Sequence, residues 1–169
     1  MPSIALYQPD IPQNTGTILR FAACLGLTVE IIEPAGFDLS DRGLKRAGMD
    51  YLGHATLRRH VSFAAFEAEA RAAGRRIVLF TTQAGASHLD LAYRPDDVLL
   101  FGRESAGVPE AVHGAADARL RVPMRPGLRS LNLAMTVALV AGEALRQTGG
   151  FPASGAAAAG PSDPAFPGP

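Results

Sequence analysis

Apolar residues recur along this chain in two rhythms. Short apolar runs at Ile4–Tyr7, Val29–Ile32, Ile77–Phe80 and Val98–Phe101 predict strands buried on both faces. A weaker strand is expected near Ala55–Leu57, and Leu120 and Val122 mark one more strand edge. Between these runs the spacing becomes helical. Ile18, Phe21, Ala22 and Leu25 predict a helix over Thr15–Leu25, stopped by Gly26. Ser40–Ala47 reads as a short basic helix, Ser62 caps a helix to about Ala73, and Pro109–Gly114 makes a helical turn. Gln83–Tyr93 predicts a loop with a turn of helix. Leu133, Val137, Val140, Ala141 and Ala144 lie on one face of a long last helix, running to Arg146 and ended by Gly149–Gly150. Helices alternating with doubly buried strands define an α/β fold, a mainly parallel sheet with helices on both faces.

Three loops hold most of the glycine and polar residues, and each follows a strand: Gln8–Arg20, Phe101–Pro109 and Val122–Asn132. Ligands of open α/β sheets bind at that edge. In the last loop, Pro123 to Gly127 continues neither strand nor helix, because two prolines lack an N–H and Gly127 is free to take positive φ. Ser130 and Asn132 stand where the cap of the last helix belongs.

The chain has 169 residues, 47% of them hydrophobic, enough for one domain with a true core over residues 1–150. From Phe151 to Pro169 it is Pro, Ala and Gly with almost no charge, which predicts a disordered tail. A formal net charge of zero removes the simplest case for nucleic-acid binding but leaves room for a local patch. Lys45 is the only lysine; every other cation is arginine, the residue suited to bidentate phosphate contacts. A single cysteine, Cys24, forms no internal disulfide and reads as a small buried hydrophobe; with no signal-peptide pattern it points to the cytoplasm. No apolar run is long enough to span a membrane. The first turn, QPDIPQNTG, lacks the glycine fingerprint of a dinucleotide site, and no Walker loop or nucleophile elbow is present. His54, His60, His88 and His113 are scattered, so no metal site is expected.

Three segments, IPQNTGTILRFAACLG, LLFGRESAGVP and RVPMRPGLRSLNLAMTVALVAGEALRQTG, resemble in order the three motifs of the SPOUT class of RNA 2′-O-ribose methyltransferases. The YQPDIPQNTG opening and IIEPAGFDLSDRGLKRAGMDY are most similar to the small tRNA (cytidine/uridine-34) 2′-O-methyltransferases, which modify the wobble nucleotide of certain leucine tRNAs. The resemblance covers about residues 2 to 150. It implies a C-terminal trefoil knot, S-adenosylmethionine bound in a bent shape within it, and an antiparallel homodimer joined by the first and last helices. It assigns cofactor contacts to Phe80, Gly102, Val122, Ser130 and Leu131, several of them through the main chain. It assigns catalysis to Arg20 and implies a tRNA anticodon loop as partner; Ser130 and Asn132 are candidates to share the catalytic work by holding the ribose or the cofactor carboxylate.

Each assignment has a plainer alternative. Phe80 and Val122 suit a strand core, Ser130 and Asn132 an ordinary helix cap, Glu104 a surface loop acid that otherwise orders its motif, and Arg20 a solvated helix cation. A guanidinium stays protonated to about pH 12, so Arg20 is better placed to clamp a phosphate or stabilise an alkoxide than to act as a base. Arg46 and Arg129 head the candidates for RNA phosphate contact, with Arg42, Lys45, Arg58, Arg103 and Arg125 behind them. Arg103 stands where relatives often carry proline. Other readings that stay open are a different tRNA or ribosomal RNA nucleotide, or a non-catalytic RNA- or adenosine-binding module on the same fold.

Overall fold

The computed structural model describes residues 1–39 and 55–153. The expected basic helix at 40–47, with Arg42, Lys45 and Arg46, and the tail from residue 154 lie outside the described residues. The described elements are β1 (Ser3–Tyr7), α1 (Pro12–Leu25), β2 (Thr28–Ile32), β3 (Thr56–His60), α2 (Phe63–Ala72), β4 (Ile77–Phe80), β5 (Ala86–Ser87), β6 (Val98–Phe101), α3 (Glu110–Ala115), β7 (Ala118–Arg121) and α4 (Leu133–Thr148).

The strands form one seven-stranded sheet in the order β3-β2-β1-β6-β4-β7-β5. Every strand pairing among the described residues is parallel. In β1, Ile4 and Leu6 face a cluster built with α1 and α4, while Ala5 faces Phe66 and Ala70 of α2. The same alternation sends Val78, Phe80, Leu99 and Phe101 to the first layer and Ile77, Leu79, Val98 and Leu100 to the second. Burial on both faces is why these runs are continuously apolar. After β1 the chain builds outward through β2 and β3, and it then returns to the other side of β1 for the rest of the sheet. The crevice at that reversal, between the ends of β1 and β6, is where such sheets hold ligands.

Four boundaries differ from expectation. α1 begins at Pro12 rather than Thr15, because proline at the first helical position sacrifices no bonded N–H. β3 runs to His60, past the expected Leu57; among the described residues it is an edge strand bonded only to β2, so Arg58 and Arg59 reach solvent without breaking the ladder. Residues 86 and 87 form a two-residue strand on β7 instead of a turn of helix. The last strand stops at Arg121, leaving Val122 at the start of the loop.

Cys24 is exposed rather than buried. The inner face of α1 is filled by Thr15, Ile18, Leu19 and Ala22, and helical spacing turns residues 20 and 24 outward. Inside the fold, the buried Glu30 carboxylate accepts from the Ser3 hydroxyl at 2.6 Å and from Arg75 Nη1 at 2.9 Å, and His60 Nε2 lies 2.9 Å from it. Burial opposes the charge, yet the bonds from Ser3 and Arg75 outweigh it and hold Glu30 below the usual carboxylate range. This network tethers β1, β2 and β3 and is structural.

Candidate functional site

The ends of β1, β6, β4 and β7 enclose a cavity of about 400 Å³, within the size range of small-molecule sites. Phe80, Phe101, Val122, Leu131 and Leu133 give it apolar walls, and Asn14, Thr81, Ser130, Asn132 and Thr136 give it polar ones. Phe80 and Phe101 stack with ring centroids 5.0 Å apart and planes 19° apart, which fixes the floor.

Residues 102–107 fold back as a tight hairpin. Arg103 N–H donates to the Gly107 carbonyl at 3.1 Å, and Gly107 N–H donates to the Arg103 carbonyl at 2.9 Å. A Cβ on Gly102 would lie 2.7 Å from the Gly107 carbonyl carbon, so only glycine permits this approach. Gly107 takes φ +66°, the left-handed region in which a side chain is strained.

A directional chain of hydrogen bonds links the three loops. Asn132 Oδ1 caps α4, accepting from Ala134 N–H at 2.9 Å and Met135 N–H at 3.3 Å. With the oxygen so used, the Asn132 amide nitrogen faces outward and donates to Asn14 Oδ1 at 2.9 Å. Asn14 Nδ2 must then donate, and it does so to Glu104 Oε1 at 3.0 Å. Glu104 Oε2 accepts from Asp10 N–H at 3.1 Å. Ser105 Oγ donates to Asp10 Oδ2, and Asp10 Oδ1 is buried with no donor among the described residues. Burial and the hydrogen bond to Asp10 raise the Glu104 carboxyl above its usual range; that same bond, more than any other cause, lowers Asp10.

Phe80, Gly102, Val122, Ser130, Leu131 and Asn132, named from the sequence, all line this one cavity. Arg20 does not: it is exposed on the outer side of α1, where it has a partner of its own. Arg129 and Arg125 are exposed on the loop before α4, outside the lining. Arg58 is taken up in a 2.9 Å salt bridge to Glu69. Arg46 lies outside the described residues. Sequence reasoning missed Gln8, Asp10, Thr81 and Arg121; their one legible signal was position, at or just beyond the C-terminal end of a strand. Among the described residues no group of acidic, histidine or cysteine side chains could hold a metal, and no helix is long and apolar enough to cross a membrane.

A family model described as the SpoU rRNA Methylase family matches residues 1–142. A relative from Beijerinckia indica, named tRNA (cytidine(34)-2′-O)-methyltransferase, is 62% identical over 146 residues, covering 86% of this chain and 91% of its own. A solved structure described as concerning 2-OH methylation of C/U34 on tRNA superposes with a TM-score of 0.80 at 48% identity, covering 87% of this chain and 95% of that one. An rRNA methyltransferase from Sinorhizobium meliloti with AdoMet bound superposes at 0.77 and 28% identity, covering 86% of this chain and 56% of that one.

Proposed function

The chain belongs to the SpoU methylase family, and on that premise we propose that it is an S-adenosylmethionine-dependent tRNA 2′-O-methyltransferase acting on nucleotide 34, a cytidine or modified uridine, of leucine tRNAs. The observation that carries the reading is the convergence of all three motif loops on one cavity in a chain 62% identical to a relative named for C34 methylation.

The cavity suits the cofactor. Its stacked phenylalanines and aliphatic walls match an adenine, and its amides and hydroxyls match a ribose and an amino-acid end. Phe80, Gly102, Val122, Ser130 and Leu131 would hold it, the Gly102–Gly107 hairpin lying backbone-first against the space. Bound there, S-adenosylmethionine supplies an electrophilic methyl group. The chain's own task is to orient the ribose and stabilise charge at its 2′ oxygen. We assign that task to Arg20, with Ser130 and Asn132 holding the ribose or cofactor, and RNA phosphate contact to Arg46 and Arg129. Residues 1–150 act as one knotted domain in the cytoplasm.

A homodimer belongs to this reading. Met135 and Leu139, one turn apart on α4, are 60% and 48% exposed, and Leu128 and Leu131 continue the apolar surface. A second copy is the partner that would cover it.

The test is to incubate the protein with labelled S-adenosylmethionine and unmodified total tRNA, then digest and identify the labelled nucleotide. The expected product is a 2′-O-methyl pyrimidine at the first anticodon position of leucine tRNAs. Label on a base or at another position overturns the assignment of target.

Asn132 separates capping from catalysis. Asn132→Asp keeps the oxygen that caps α4 but sets a carboxylate against Asn14 Oδ1. Stability should change by less than about 1 kcal/mol, because aspartate caps as well as asparagine. Methyl transfer should fall about tenfold as the Asn14–Glu104 chain loses its direction. Thermal denaturation and initial rates measured on one preparation check both.

A further inference from the structure

Arg103 is half-buried on the cavity wall, yet none of the ion pairs among the described residues includes it. Its guanidinium is held by two neutral acceptors on one residue: Nη2 donates to Gln8 Oε1 at 2.8 Å and Nε to the Gln8 carbonyl at 3.4 Å. Gln8 is itself fixed. Its N–H donates to the Ile32 carbonyl at 2.8 Å, and its φ of +46° makes it the non-glycine residue with positive φ among those described. Strained backbone of this kind persists where the surroundings impose it, commonly at functional sites.

We propose that Arg103, locked in place by Gln8, is the receptor for a backbone phosphate of the tRNA strand beside the target nucleotide. The inference rests on the tRNA reading above. Among the described residues its acceptors are neutral and leave the positive charge uncompensated, and two of the five guanidinium N–H groups are engaged, so a planar fork remains for an oxyanion. Position favours RNA over the cofactor's carboxylate. The side chain leans to Gln8, just past the end of β1, whereas the stacked Phe80 and Phe101 of the apolar floor end β4 and β6, and Val122 follows β7. Lysine, a single flexible point charge, cannot both satisfy Gln8 and present a fork.

The test is a titration of a leucine tRNA anticodon stem-loop at several salt concentrations, beside S-adenosylmethionine binding to the same preparations. Arg103→Gln is expected to weaken RNA binding about tenfold and to reduce the slope of log affinity against log salt by about one, with cofactor affinity unchanged. Gln8→Glu supplies the discriminating variant. It retains the hydrogen-bonding shape but gives Arg103 a carboxylate, so a structural contact would be kept or strengthened, whereas a phosphate receptor is neutralised and RNA binding falls as in Arg103→Gln. An unchanged salt slope in Arg103→Gln overturns the proposal, as does a loss confined to cofactor affinity. Wild-type protein that neither binds nor methylates the stem-loop overturns the tRNA reading itself, a result distinguishable from failure of the Arg103 variants alone.

Discussion

Arg20→Ala is expected to lower the rate of methyl transfer about 10²–10³-fold, the usual consequence of removing a group that stabilises charge in a transition state. Arg20 is exposed on α1, so the same substitution should leave stability within about 0.5 kcal/mol and S-adenosylmethionine affinity unaltered. An ordinary surface cation would leave the rate unaltered too, so single-turnover kinetics with saturating cofactor separate the two roles. Because Arg20 lies outside the cavity of its own chain, it is expected to serve a substrate held in the cavity of the second copy in the proposed dimer. Co-expression of Arg20→Ala chains with chains carrying a cavity defect tests this directly. A mixed dimer would regain one working site if the arginine acts across the interface, and none if it acts within its own chain.

Gly102→Ala supplies that cavity defect and is the second large effect. The added Cβ would stand 2.7 Å from the Gly107 carbonyl carbon and 2.8 Å from its Cα. Both are backbone atoms and cannot rotate away, so the hairpin must open. The paired Arg103–Gly107 bonds then break, and Glu104 is carried off Asp10 and Asn14. Methyl transfer should fall about 10²-fold, as expected when a site is displaced by about 1 Å, with S-adenosylmethionine binding weakened in parallel in a calorimetric titration. Gly114→Ala is the control. Its Cβ would meet nothing within 4 Å in α3, so it should leave binding and rate unchanged.

Much of this architecture was legible in the chain. Runs such as Val98–Phe101 are apolar at consecutive positions because both faces of a parallel sheet are covered, and that demand is written locally. Ser62 and Asn132 announce their helices because a cap needs only the few N–H groups that follow it. Gly102 was marked by the resemblance as a cofactor contact, but that a Cβ there would meet the Gly107 backbone was not legible. The start of α1 was misplaced because Pro12 reads as a loop signal and as a first helical residue alike. The edge strand β3 was cut short because edge positions carry no obligation to be apolar.

The sequence by itself determined the class of sheet, the order of its elements and the edge at which a ligand would sit, since each depends on periodicity and on residues close in the chain. Tertiary structure alone decided which of the marked residues meet. Asp10 and Glu104 are 94 positions apart, and Asn14 and Asn132 are 118. Their bonds exist because the sheet order puts β1 beside β6 and because α4 packs on α1. The same geometry turned Arg20 and Cys24 outward, locked Arg103 onto Gln8, and moved the Glu104 carboxyl up and the Asp10 carboxyl down from their usual ranges. No local pattern encodes these outcomes, because a hydrogen bond, a pKa and an exposure are properties of neighbours in space, and those neighbours are chosen by the topology.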